Sequence, residues 1–206
     1  MKKLLIGLLA GFLLVGIAGL ANASVINFND YIATAVIGQP DDPSNQGYTG
    51  TYDITSSTDG NVGARLKLHG DIWLGMGIPF SVDADTVLHI EVRDRAPQSS
   101  EILGIMFVKD YTNPVLDATL AFSFSGSQNW GIQAFRTTTE DWESFDIKLG
   151  DYIPKYDYEG IYFILDDDTA PVDPEGRFQN VSVPEPATLL LLGFGLFGLA
   201  CFRRKE

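Results

Sequence analysis

The chain has 206 residues, with 14 Lys and Arg against 27 Asp and Glu and a formal net charge of −13, a length that suits one domain with appendages. A chain this acidic repels phosphate backbones, which excludes nucleic-acid binding, and an aromatic content of 12% argues against disorder. The single cysteine, Cys201, lies in a C-terminal apolar run, so the preceding body holds no disulfide, cysteine zinc site or thiol nucleophile.

The chain opens on Met1-Lys2-Lys3, an apolar run from Leu4 to Leu20, and Ala21-Asn22-Ala23. A positive start, a greasy stretch and small residues at Ala21 and Ala23 predict a secretory signal peptide cut after Ala23. A retained membrane anchor is the alternative, but repeated Gly and Ala interruptions and the A-x-A site favour removal. The body, residues 24–183, then carries 9 cations and 25 acids, a net charge of −16.

Within the body, apolar residues recur with period two rather than at helical spacing. Leu66 and Leu68 alternate with polar residues over Ala64–His69, as do Leu88, Ile90 and Val92 over Thr86–Arg93. Leu120, Phe122 and Phe124 alternate with Ala121, Ser123 and Ser125, and Phe145, Ile147 and Leu149 with Asp146 and Lys148. Ile102–Val108 and Ile161–Leu165 are continuously apolar, as strands covered on both faces are, and Val181 and Val183 close the series. Asp59-Gly60, Gly126, Pro154 and Pro174-Glu175-Gly176 read as turns between them. About eight to ten short strands predict an all-β fold, a two-sheet antiparallel β-sandwich of the jelly-roll kind.

After the body come Val183-Pro184-Glu185-Pro186, an apolar run from Ala187 to Phe202, and Arg203-Arg204-Lys205-Glu206. The run has 16 residues, just short of the roughly 17–25 that normally span a bilayer. Its basic flank belongs on the cytoplasmic side, leaving the body outside. The triplet Pro184-Glu185-Pro186, the apolar helix and the Arg203-Arg204-Lys205 end resemble the PEP-CTERM sorting signal of Gram-negative bacteria. The resemblance implies transient insertion in the inner membrane, recognition by an exosortase-type protease, and delivery to the cell surface or extracellular polysaccharide matrix. Two prolines suit that role, since they hold an extended segment and stop a helix from running into it.

The body also carries an ordered series of motifs. Thr51-Tyr52, Leu66-Lys67-Leu68-His69-Gly70-Asp71-Ile72-Trp73 and Asp85 to Arg93 come first. Gly126-Ser127-Gln128-Asn129-Trp130-Gly131, Asp141-Trp142-Glu143, Phe163 to Asp168 and Phe178 to Val183 follow. Over residues 48–183 this order resembles the galactose-binding-like jelly rolls that serve as carbohydrate-binding modules. That resemblance implies a non-catalytic sugar-binding domain, often with a structural calcium ion.

Asp166, Asp167, Asp168, Asp173 and Glu175 crowd five carboxylates into ten residues. A hard cation such as calcium offsets that repulsion, with Asp30 and Asn29 as further ligands, but so does a solvated acidic loop. Trp73, Trp130 and Trp142 are candidate sugar platforms, backed by Tyr156 and Tyr158, because aromatic rings stack on the C–H faces of sugars. Trp130 is the leading candidate, since Gln128 and Asn129 beside it can take hydroxyls, whereas Trp142 reads as core or edge packing. His69 and His89 are isolated, and His89, Glu91 and Arg93 share one polar strand face.

No G-x-S-x-G, H-E-x-x-H, P-loop or G-x-G-x-x-G motif occurs in the sequence. The sequence therefore predicts a non-catalytic, surface-sorted polysaccharide-binding protein. A structural matrix or adhesion protein acting through protein contacts is the alternative. A small glycoside hydrolase or lyase is a third reading, since 25 acids always provide pairs.

Overall fold

The computed structural model describes residues 23–30, 36–37, 50–56, 64–95, 100–111, 114–167 and 174–184. Ala21, Glu185, Pro186, Asp168, Asp173, Arg203, Arg204, Lys205 and both terminal apolar runs lie outside them, so the signal and tail expectations have no structural counterpart here. Among the described residues no helix is long and apolar enough to cross a membrane. Residues 25–183 form one compact unit.

The first sheet runs β10 (Glu143–Lys148), β7 (Val87–Asp94), β13 (Glu175–Pro184), β4 (Ala64–His69), β3 (Thr51–Ser56), with β1 (Ala23–Val25) also on β13. The second runs β2 (Val36–Ile37), β5 (Ile72–Met76), β12 (Gly160–Asp166), β8 (Ile102–Val108), β9 (Ala121–Ser125). A small ribbon pairs β6 (Phe80–Ser81) with β11 (Asp157–Tyr158). The fold is all-β, and the pairs β10–β7, β11–β6, β12–β5, β12–β8, β13–β4, β13–β7, β2–β5, β3–β4 and β8–β9 are antiparallel. The chain alternates between sheets, β4 to β5, β7 to β8, β9 to β10 and β12 to β13.

Each sheet's sequence pattern follows from what covers it. In the first, alternation holds: Leu66 and Leu68 of β4, and Leu88, Ile90 and Val92 of β7, are buried while their neighbours are half-exposed. The second is buried on both faces, which is why β8 and β12 read as unbroken apolar runs. Its inner face supplies Leu74, Ile105, Phe107, Phe122, Phe163 and Leu165 to the core shared with the first sheet. Its outer face, with Trp73, Met106, Tyr162 and Ile164, is covered by Tyr111, Leu116 and Trp130 from the loops. Ala121, Ser123 and Ser125 of β9 are accordingly buried too, where simple alternation turns them to water.

Two glycines serve close approach. A Cβ on Gly75 would stand 2.6 Å from the Tyr162 ring, which lies across the strand from it. Gly126, at φ +113°, ends β9 in a turn that a side chain would strain.

The Pro174-Glu175-Gly176 triplet is not a turn. Glu175 pairs with His69, and Gly176 with Leu68 and Asp94, because β13 starts there as the strand between β4 and β7. Further along, β13 carries a bulge: Gln179 faces Glu91, Ser182 faces His89, and Asn180 between them sits at φ 52°. Three residues span what two span on β7. The inserted residue resets the phase, so that Phe178 and Val181 both enter the core while Gln179 and Ser182 line the opposite face.

Phe163 of β12 packs edge-on against Phe28 (5.3 Å between centroids) and Phe178 of β13 (5.1 Å), tying the two sheets together. Phe163→Ala is expected to cost about 3–5 kcal/mol, measured by urea unfolding of the full chain; a cost below about 1 kcal/mol would contradict this packing.

Candidate functional site

The outer face of the first sheet is where polar chemistry gathers. The register sets Asp53, Lys67, Arg177 and Arg93 in one row across β3, β4, β13 and β7. The next row holds Thr55 and Arg65, then Gln179, then Glu91 and Ser144. Side chains that face each other across paired strands lie within reach of one another. Arg65 Nε donates to Gln179 Oε1 (2.9 Å), and Gln179 Nε2 donates to Glu91 Oε2 (2.6 Å). A chain of planar polar groups thus crosses three strands.

Glu175 sits between two cations. Lys67 Nζ lies 2.9 Å from its carboxylate, and Arg177 donates to it through Nε (2.6 Å) and pairs with it through a second guanidinium nitrogen. Partial burial works against ionisation of Glu175, but the hydrogen bonds and charges of Lys67 and Arg177 outweigh it and hold its pKa below the ordinary glutamate value. His69 lies 3.9 Å from both Asp53 and Glu175, and His89 Nδ1 lies 2.8 Å from Asp146. Arg93 Nε donates to the Glu140 carbonyl (2.7 Å). Two residues beyond that carbonyl stands Trp142, with the Arg65 guanidinium 5.0 Å from its ring centroid. Arg93 and Arg65 between them hold the segment 140–142 and its half-buried indole against this polar face.

The sequence-predicted platforms fall elsewhere. Trp73 is not a platform: it is only 2% exposed, its indole Nε1 donates to Asp166 Oδ1 (3.2 Å), and Trp130 stacks edge-on against it (5.3 Å). Trp130 is half-buried as part of the cover over the second sheet. Beside it, Gln128 donates to Glu101 and Asn129 accepts from Arg136. Tyr158 is not a platform either, being 1% exposed, with its hydroxyl donating to the Pro154 carbonyl (3.0 Å). Its neighbour Tyr156 is 46% exposed, with Lys109 over its ring (5.0 Å). Tyr162, within the continuously apolar stretch of β12, is buried with an unpartnered hydroxyl, and burial pushes its phenol up to about 12.

Of the five clustered carboxylates, Asp166, Asp167 and Glu175 lie among the described residues. Asp166 ends β12 and serves Trp73, Asp167 is buried, and Glu175 belongs to the cationic row on β13. Asp30 is exposed at the end of a short 3-10 turn, Phe28–Asp30. Among the described residues, no group of three or more His, Cys, Asp or Glu side chains is placed to hold a metal ion.

Trp142 was named from the sequence but read as packing; Arg65, which lies against it, and Gln179, which Arg65 bonds, are the residues the sequence did not point to. The signal that was present is the polar alternation His89-Glu91-Arg93 opposite Arg65-Lys67-His69; the pairing of those strands through β13 was not in the pattern.

Residues 182–205 match the PEP-CTERM protein-sorting motif, so the chain carries that sorting signal. The first three matched residues, Ser182 to Pro184, are the last three of β13. No curated protein matches the sequence. Among solved structures, the fold is similar to the glycoside hydrolase domain of Endo-D from Streptococcus pneumoniae R6, at 14% identity and a TM-score of 0.47 over 74% of this chain and 21% of that one. It is also similar to SGBP-B from a complex xyloglucan utilization locus in Bacteroides uniformis (12% identity, TM-score 0.45, 81% of this chain and 50% of that one). A family 11 carbohydrate-binding module of a cellulosomal cellulase from Clostridium thermocellum is a third (11%, TM-score 0.41, 80% and 95%). The chain thus spans a fifth and a half of the first two.

Because the fold depresses the Glu175 pKa, its ionised form contributes stability at neutral pH that is lost as pH falls through the lowered value. Glu175→Gln is expected to lower Tm at pH 7, with the gap to the parent closing as the pH is taken to about 3. Melting curves across that range check it; a gap that stays constant with pH would contradict the assignment.

Proposed function

We propose that this protein is an exported, surface-sorted, non-catalytic carbohydrate-binding module whose binding surface is the outer face of the first sheet. The carrying observation is Trp142, whose ring lies against the Arg65 guanidinium at the head of the hydrogen-bonded chain Arg65–Gln179–Glu91. Sugars need two things from a protein: an aromatic plane for their C–H faces and rigid polar groups for their hydroxyls. One face of Trp142 is taken by Arg65; the other supplies the plane. Arg65, Gln179 and Glu91 are already fixed by one another, so little side-chain entropy is lost when a hydroxyl joins them.

The sorting signal at 182–205 supports export and a membrane-bound stage. The apolar run 187–202 serves as the transient inner-membrane helix, Pro184-Glu185-Pro186 as the motif read by an exosortase-type protease, and the Arg203-Arg204-Lys205 end as its cytoplasmic stop. The signal peptide ending at Ala23 starts that route. Processing then leaves the body at the cell surface or in the polysaccharide matrix of a Gram-negative bacterium.

Two measurements test this reading. On an array of neutral and acidic glycans the full chain is expected to bind. Trp142→Ala should lose about tenfold or more in affinity, while Trp130→Ala lowers Tm and leaves affinity in place. Binding to no glycan at all, or binding lost with Trp130 and not with Trp142, would overturn it. In an exosortase-competent host, antibodies against the tail and against the body are expected to detect different species; one full-length membrane species would contradict the processing route.

A further inference from the structure

The charges of the body are not evenly spread. Of the nine Lys and Arg residues between 24 and 183, five lie on the outer face of the first sheet: Arg65, Lys67, Arg93, Lys148 and Arg177. Four acids share that face: Asp53, Glu91, Asp146 and Glu175. The remaining four cations are set against 21 acids. Among the described residues, cations thus outnumber acids on this face, five to four, in a body that is otherwise strongly acidic.

Within it, Lys67, Arg177 and Arg93 stand side by side in one row, an arrangement that costs repulsion unless anions offset it. Glu175 takes the first two. Arg93 has no carboxylate partner among the described residues. Its Nε is turned to the Glu140 carbonyl, and among the described residues its two terminal nitrogens have no hydrogen-bond partner. A guanidinium fork matches a carboxylate bidentately, with two parallel charge-assisted hydrogen bonds.

From this we infer that the ligand is an acidic sugar chain, with a uronate-type carboxylate seated on Arg93 while a neighbouring ring stacks on Trp142. This deepens the carbohydrate-binding reading and rests on it. The body's net charge of −16 is compatible with it. Double-stranded DNA carries a charge about every 1.7 Å and meets the acids elsewhere on the body. A short acidic oligosaccharide delivers its carboxylate to one face, and acids beyond the Debye length of about 8 Å are largely screened in physiological salt.

The test uses matched ligands that differ only in charge: oligogalacturonate and the same chain fully methyl-esterified, titrated calorimetrically into the full chain in mild detergent. The parent is expected to prefer the acid by about tenfold, as one charge-assisted contact supplies. Arg93→Gln should erase that preference, so that acid and ester bind equally, over and above any loss common to both ligands that follows from releasing Glu140 and the segment carrying Trp142. Arg136→Gln, which removes a cation away from this face, should keep the preference. Equal binding of acid and ester by the parent, or a preference that survives Arg93→Gln, would overturn this inference and leave the carbohydrate-binding reading standing. If neither those ligands nor any array glycan binds, the carbohydrate-binding reading itself fails.

Discussion

The structure depends on burying aromatic side chains between two sheets in a body that has no cysteine to staple it. Phe163 lies against Phe28 on one side and Phe178 on the other, while Phe107 contacts Phe80, Phe122 and Tyr158. A sheet of hydrogen-bonded strands is stable only if at least one face leaves water. Here the second sheet buries both faces, one against the shared core and one under Tyr111, Leu116 and Trp130. That double burial leaves the other sheet's outer face as the one of the two sheets' faces where polar side chains gather.

What aligns that surface is the unbroken register of β13 over Glu175–Gln179 with the strands on either side of it. Gln179 bridges Arg65 and Glu91 at the end of that stretch, and the bulge at Asn180 just beyond it moves the strand by one position, so that Val181 turns inward. Without the inserted residue, strict alternation sends Val181 out onto the polar face and Ser182 into the core. β13 lies between β4 and β7, so its phase decides whether the polar rows of those strands join. The row of Lys67, Arg177 and Arg93, and the Arg65–Gln179–Glu91 chain, exist because it is in phase with both.

Much of the fold was legible along the chain. Ile102–Val108 and Ala64–His69 are strands with the predicted boundaries, and Thr86–Arg93 and Ile161–Leu165 match theirs to within a residue at each end. Those segments bury side chains at a fixed period, and period is a local property. The turn assigned to Pro174-Glu175-Gly176 was wrong for the complementary reason. Pro and Gly mark turns by their backbone freedom, but here Gly176 lies at the start of a strand flanked on both sides, where Leu103 of the facing sheet leaves no room for a Cβ. The site was less legible. Trp73 and Tyr158, aromatic and beside polar residues, lie in the interior, whereas Trp142, which reads as packing, stands at the polar face.

By itself the sequence determined the period of the strands, the acidic excess of the body and the sorting tail, because periodicity, charge count and a contiguous motif are written in neighbouring residues. Only the tertiary structure decided which faces meet and which aromatic rings stay at the surface. Arg65, Trp142 and Gln179 are separated by scores of positions and share a site through strand pairing. The burial of Trp73 depends on Trp130 and Asp166, which reach it from other strands and loops. The partners of a side chain in a β-sandwich are fixed by strand order and register, and both are non-local.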